Sequence, residues 1–214
     1  MTTACIVQAR MTSNRLPGKV MYPIGTQGAT IISRVLYHAK KIPGVDKVIC
    51  TVPEDPRSAV IAEEARRSYV EVRYGSENDV LERYWEAAQG SDVIVRITAD
   101  CPFIDSEICG KVLALLVDSD DGTEYVSNCF PRNCDKGLDC EAFTFEALDD
   151  AFGSTENPYD REHVTPWMQR NCKIKTLKGT CDRSVNLCID TPEDYIRLQN
   201  QYRTVLMDGK EVWL

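Results

Sequence analysis

The chain has 214 residues, 43% of them hydrophobic and 27% charged, with a formal net charge of −8. That balance suits one globular domain over 1–214, with a core large enough to need no disulfide or metal staple. No apolar run approaches a membrane span, the start "MTTACIVQARM" has no basic segment ahead of its apolar run, and an acidic chain argues against a general nucleic-acid surface. The expectation is a cytoplasmic protein with neither a membrane nor a nucleic-acid partner.

"ACIVQA" (4–9) reads as a short buried strand, followed by the loop "QARMTSNRLPGK" (8–19). "ATIISRVLYHAKKI" (29–42) has helical spacing and stops at Pro43-Gly44. "KVICTVP" (47–53) is a strand, "DPRSAVIAEEARRS" (55–68) a helix with Pro56 in its first turn, and "YVEVRYG" (69–75) a strand. "SENDVLERYWEAAQG" (76–90) is a helix for which Ser76 and Asp79 suggest a capping box with Ser76 at the N-cap. A strand opens "SDVIVRITADCPFID" (91–105), and "DSEICGKVLALLVDS" (105–119) is the next helix. This alternation predicts an α/β, doubly wound sheet with right-handed crossovers.

Beyond 120 the order is less regular. Strands are expected at 123–130, 173–179 and 184–190, a strand running into a helix at 140–152, a short helix interrupted at Pro166, and a closing helix over 191–206. The stretch 120–180 is the expected place for an acceptor site and a subunit contact.

The ten cysteines are scattered without a C-x-x-C pair, and several lie in apolar runs, which points to buried reduced thiols. Cys129, Cys134 and Cys140 are the one trio to check for zinc. Charge is unevenly spread. The first 45 residues hold six basic and no acidic residues, and the remaining 169 hold nineteen basic and thirty-three acidic ones. Arg34, Lys40 and Lys41 read as a solvated helix face, and His38 as a surface residue of the same helix. Arg10, Arg15 and Lys19 sit instead in the loop after the first strand, where open α/β sheets bind ligands. The loop lacks both G-x-G-x-x-G and the Walker A pattern. Three cations there suit a triphosphate, or they form a solvated basic loop. Asp100 and Asp190 each follow an apolar run and precede a Pro-containing turn. Two carboxylates at neighbouring strand ends suit Mg²⁺. Alternatively Asp100 is a turn residue, and Asp190 or Thr191 caps the closing helix.

"VQARMTSNRLPGKVM", "YGSENDVLERYWEAA", "RITADCPFID", "GLDCEAF", "DREHVTPWM" and "IDTPEDY", in that order, resemble the blocks of the sugar nucleotidyltransferases, a cytidylyltransferase family. The group nearest in pattern is that of spore coat polysaccharide biosynthesis, and CMP-KDO synthetase and acylneuraminate cytidylyltransferase are relatives. The chain is shorter than the latter two, and its "GSENDVLERY" block matches the spore coat group. The resemblance implies a three-layer α/β/α, Rossmann-like fold of the GT-A type with a mixed sheet. It implies CTP as donor, Mg²⁺ as cofactor, CMP transfer to an acceptor oxygen, and pyrophosphate release. Carried over by motif, Arg10, Ser13, Arg15 and Lys19 hold the triphosphate, Asp100 and Asp190 hold Mg²⁺, and Gln8 and Ala9 line the start of the nucleotide pocket. Gly75, Ser76, Asp79 and Arg83 lie near base and ribose. Arg15, Lys19 and Asp100 are then the catalytic candidates, and a homodimer is expected.

The acceptor, a sugar acid or related anion, is expected against 136–143 and 160–167. Glu141 is the candidate for sugar hydroxyls, and Arg161 or His163 for an anionic group. A helix-packing or subunit-contact role for His163 stays open. Trp85 has core spacing, Trp167 falls near the acceptor segments, and Trp213 is expected to pack on the body or a partner. Two other readings remain: a transferase using UTP, GTP or a nucleotide sugar, and a non-catalytic nucleotide-binding module.

Overall fold

A computed structural model describes residues 1–25, 28–179 and 185–207, the last seven by backbone alone. Trp213 and Cys181 lie outside the described residues. Seven strands form one sheet: β1 (Thr3–Gln8), β2 (Lys47–Pro53), β3 (Glu71–Gly75), β4 (Val93–Thr98), β5 (Tyr125–Ser127), β6 (Glu141–Thr144) and β7 (Ile174–Thr176). Their order is β3-β2-β1-β4-β6-β5-β7. The first four are mutually parallel, and β6 runs antiparallel to both β4 and β5. The expected doubly wound half is therefore present, and 120–180 adds a mixed extension of the same sheet, in which β6 runs antiparallel to its neighbours and β5 pairs parallel with β7.

Eight α-helices flank it: α1 (Ile31–Ala39), α2 (Ala59–Arg67), α3 (Val80–Ala88), α4 (Ser106–Val117), α5 (Phe145–Ser154), α6 (Pro158–His163), α7 (Pro166–Asn171) and α8 (Pro192–Met207). The period-two alternation of β1 divides the interior. Cys5 and Val7 pack with residues of α1, α2 and α4, while Ala4 and Ile6 pack with α3, α5 and α7. This is the expected three-layer α/β/α arrangement. A third, smaller cluster joins Leu16 of the first loop to Ile31 of α1 and to Ile189 and Leu198 at α8.

Several local expectations change. The N-cap of α3 is Asp79, which accepts from Glu82 N at 2.9 Å, while the Ser76 hydroxyl accepts one turn earlier, from Asp79 N. The expected strand 184–190 is reduced, among its described residues, to one bridge between Asn186 and Lys136. Gly137, at φ +100°, lies so close to this segment that a Cβ would sit 2.5 Å from Leu187 C. Pro166 does not merely interrupt a helix. It starts α7 at a position where its missing N–H costs nothing. Arg34 is buried at 7% exposure rather than solvated, although Lys40 and Lys41 are exposed. His38 is half-buried, and that burial, with the charges of Lys41 and Arg34, lowers its pKa to about 4. Trp85 does pack on the core, stacked on Phe152 at 4.5 Å, and Trp167 packs against the same cluster. Cys134 and Cys140 are fully buried, and Cys129, Cys134 and Cys140 do not bring three ligand atoms together.

Candidate active site

β1 and β4 are neighbours, with Gln8 paired to Thr98, so both strands end at one level. The sheet order reverses between them, which opens a crevice at their carboxyl ends. The loop leaving β1 enters it from one side and the "ADCP" turn leaving β4 from the other. The resulting cleft, about 300 Å³, is lined by Arg10, Arg15 and Lys19, by Asp100 and Asp190, and by Lys136 among others.

The loop folds back on itself. Gly18 N donates to Met11 O at 2.9 Å, and Gly18 adopts φ +70°, with Met11 Cε 3.2 Å from where a Cβ would stand. Ser13 caps the turn by accepting from Leu16 N at 3.3 Å. Leu16 is buried in the third cluster, so an apolar anchor fixes the loop against α8. Immediately after Gly18, a single turn of 3-10 helix (Lys19–Met21) turns the Lys19 side chain inward.

Lys19 Nζ donates to Asp100 Oδ2 at 2.7 Å, to Ile189 O at 2.7 Å and to Asp190 Oδ1 at 3.0 Å. One buried ammonium thus joins the ends of three chain segments. Asp190 also meets Lys136 at 2.7 Å and Arg15 at 2.9 Å. Burial alone would raise the Asp190 pKa, but the bonds from Lys136 and Lys19 outweigh it and hold it at about 2. Asp100 responds alike: burial opposes ionisation, the charge and hydrogen bond of Lys19 prevail, and its pKa is lowered. Lys19 itself is raised, the two carboxylates overcoming its burial.

The cap of α8 is formed by the residues after Asp190. Thr191 Oγ1 accepts from Asp194 N at 3.2 Å and Asp194 Oδ2 accepts from Thr191 N at 3.1 Å, a reciprocal box that starts α8. Both Asp190 carboxylate oxygens face cations of the cleft. The two ionised carboxylates converge on the Lys19 ammonium and supply the oxygen donors that a hard divalent cation selects, so the donor chemistry fits such an ion.

Arg10 is exposed at the cleft and makes no ion pair among the described residues. Arg83 is 1% exposed; it donates to Ser76 O at 2.7 Å, and its Nε has no partner. Gly75 makes room for it, since a Cβ there would stand 3.0 Å from Arg83 Cγ. Burial pushes the Arg83 pKa down. Gln8 and Ala9 line the same cleft. Gly75, Ser76 and Asp79 are brought beside Arg83, but Asp79 is committed to its cap and to Arg161 at 3.1 Å.

The three acceptor candidates are not brought together. Glu141 is 4% exposed and lies behind Gln8: it pairs with Arg96 and accepts from Tyr125 Oη at 2.5 Å and Thr165 Oγ1 at 2.8 Å. Arg96 in turn reaches Gln8 Oε1 at 3.3 Å. A buried carboxylate must be paired, and these partners saturate it. Arg161 is spent on Asp79, Thr155 O and Phe152 O. His163 is exposed and packs edge-on to Tyr159. Lys136, covered by the sequence reading only as the first residue of the acceptor segment 136–143, is the cation that the structure adds to the cleft.

Residues 4–206 match the family model described as cytidylyltransferase. A cytidylyltransferase of Leptospira borgpetersenii serovar Hardjo-bovis shares 35% identity and a TM-score of 0.88, over 93% of this chain and 85% of that one. The spore coat polysaccharide biosynthesis protein SpsF of Bacillus subtilis is 26% identical over 206 residues, covering 92% of this chain and 85% of its own. A CMP:2-keto-3-deoxy-manno-octonic acid synthetase solved with CTP has the same fold, with a TM-score of 0.74 at 16% identity over 98% of this chain and 99% of that one. The reversal crevice, its cationic loop and its carboxylate pair stand on a chain matched from its first strand to its last helix: the protein is a member of the cytidylyltransferase family, a nucleotidyltransferase of the nucleotide-diphospho-sugar transferase fold.

Proposed function

We propose that the protein transfers CMP from CTP to an acceptor oxygen of a sugar acid or related anion, releasing pyrophosphate with Mg²⁺. The observation that carries this reading is the single Lys19 ammonium holding Asp100 and Asp190 at the mouth of a cleft that also presents Arg10, Arg15 and Lys136. Three carboxylates, of Asp100, Asp139 and Asp190, face five cations in the cleft lining, and a triphosphate supplies the missing negative charge. Arg10, Arg15 and Lys19 are assigned to the triphosphate, with Ser13 shaping the loop that carries them. Gln8, Ala9, Gly75, Ser76 and Arg83 are assigned to the nucleoside side.

Asp100 and Asp190 would hold Mg²⁺, which supplies charge stabilisation at the phosphoryl oxygens when bound. The acceptor oxygen forms a bond to the α-phosphorus as the bond to the β-phosphate oxygen breaks, and the acceptor proton passes to water. Lys19 and Arg15 balance the charge that moves onto pyrophosphate. Asp100, held ionised by Lys19, suits cation binding better than proton abstraction. Lys136 is assigned to the acceptor side, within the segment 136–143. The reading further takes the enzyme to be a cytoplasmic homodimer that activates a precursor of a surface glycan.

Incubation with CTP, Mg²⁺ and a panel of sugar acids should release pyrophosphate, and CTP should raise the melting temperature more than UTP, GTP or a nucleotide sugar. Undiminished turnover in both Lys19→Ala and Asp100→Ala would overturn the site assignment. Sedimentation velocity checks the dimer.

A further inference from the structure

Beside the hard-cation pair lies a group of different chemistry. Among the described residues, ligand atoms of Asp100, Cys101 and Cys188 lie within 4.8 Å of one another. The two Asp100 oxygens face different neighbours. Oδ2 is held by Lys19 at 2.7 Å, while Oδ1 accepts from the Cys101 thiol at 3.6 Å. The backbone fixes this approach, because Ile189 N donates to Asp100 O at 3.0 Å and so lays the segment containing Cys188 against the one containing Cys101. Both thiols line the cleft, at 3% and 5% exposure.

We propose that Asp100, Cys101 and Cys188 form a second cation site, for a soft divalent ion such as Zn²⁺. Two sulfurs and one carboxylate oxygen supply three protein ligands, which leaves a fourth, open position of the kind found in three-ligand zinc sites. Thiolate donors select such an ion over Mg²⁺, which takes oxygen ligands. Zinc–sulfur bonds of about 2.3 Å put two sulfurs on one tetrahedral ion slightly under 4 Å apart, so a small side-chain adjustment closes the group. The exchange is electroneutral: the dication enters, each thiol releases one proton to water, and the charge balance beside Lys19 is unchanged.

Asp100 would then serve two ions. On the reading proposed above, a soft ion held through Oδ1 competes with the hard cation for this carboxylate, so Zn²⁺ inhibits turnover. The binding test is independent of that reading.

Co²⁺ is added to the full-length protein, without nucleotide, in a phosphine reductant that keeps thiols reduced. One equivalent should give the intense near-ultraviolet sulfur-to-cobalt absorption, and Zn²⁺ should abolish it. Cys101→Ser and Cys188→Ser should each weaken Co²⁺ binding by at least about tenfold, since each removes one of three ligands, while Cys172→Ser should leave it unchanged. If a serine variant does not fold by circular dichroism, the wild-type chain decides: Zn²⁺ should slow alkylation of Cys101 and Cys188, mapped by mass spectrometry, and leave Cys172 unaffected. No sulfur-to-cobalt band, a band retained in both serine variants, or equal protection of all cysteines would overturn the site. Loss of Zn²⁺ inhibition with the band intact would count against the shared carboxylate alone.

Discussion

Replacing Lys19 by alanine leaves Asp100 with only neutral hydroxyl and thiol partners, and deprives Asp190 of one of its three cations. Pyrophosphate release should fall by about 10²–10³, the cost typical of losing one charge-stabilising donor. The same change should weaken the fold at neutral pH more than in acid. Asp190 ionises at about 2 in the folded chain, below the ordinary 3.8, so its stabilisation is complete above 3.8 and is lost as pH falls towards 2. Urea unfolding at pH 7 and at about pH 2.5 should therefore show a smaller stability difference for Lys19→Ala than for wild type. His38 works with the opposite chemistry and the same direction. The unfolded imidazole binds its proton near 6.5 and the folded one only near 4, so stability falls as pH drops from 6.5 to 4. Urea unfolding at pH 7 and at pH 4.5 should show a smaller difference for His38→Gln than for wild type.

At the scale of elements, two short features hold the cleft edge. Gly137→Ala forces a Cβ to within 2.5 Å of Leu187 C at a positive φ, so the 185–190 segment must shift and carry Asp190 with it. We expect a loss of about 1–3 kcal/mol in urea unfolding, in the range of backbone-strain changes, together with weaker CTP binding. Thr191→Ala removes the hydroxyl of the α8 box and should cost about 1 kcal/mol, with a smaller effect on binding. The parallel strands and their helices were readable because each carries its own periodicity. Elements ruled by distant partners were not: 184–190 has a strand's composition, yet among its described residues it makes one bridge, to Lys136. Similarly, Ser76 looked like a cap until Asp79, the residue at the true first turn, took the position. Asp100 and the loop cations could be placed together from sequence because they follow the ends of β4 and β1, whereas Asp190 was placed there through a strand that the structure reduces to one bridge. Glu141 could not be, because its burial depends on Arg96 from β4 across the sheet.

For the whole molecule, the uneven charge of the sequence resolves into a local one. Of the six cations in the first 45 residues, Arg34 is buried and Lys40 and Lys41 lie at the far end of α1, so Arg10, Arg15 and Lys19 alone reach the cleft. Arg83 and Lys136 join them from distant sequence. A cationic cleft on a chain of net charge −8 makes nucleotide affinity depend on ionic strength. The apparent KM for CTP should rise steadily between low salt and about 0.5 M NaCl, where the Debye length falls below about 5 Å, and kcat should change less.

The bond from Lys19 to Asp190 spans 171 residues, and Leu16 meets Leu198 in the cluster behind it. A growing chain on the ribosome can lay down the first four strands long before these partners exist. Until α8 emerges, Leu16 of the basic loop meets Ile24 and Ile31 but not Leu198, and Lys19 has only Asp100. The pocket therefore matures after the sheet it stands on, and a ribosome-stalled fragment ending before residue 190 should be largely folded yet unable to retain CTP.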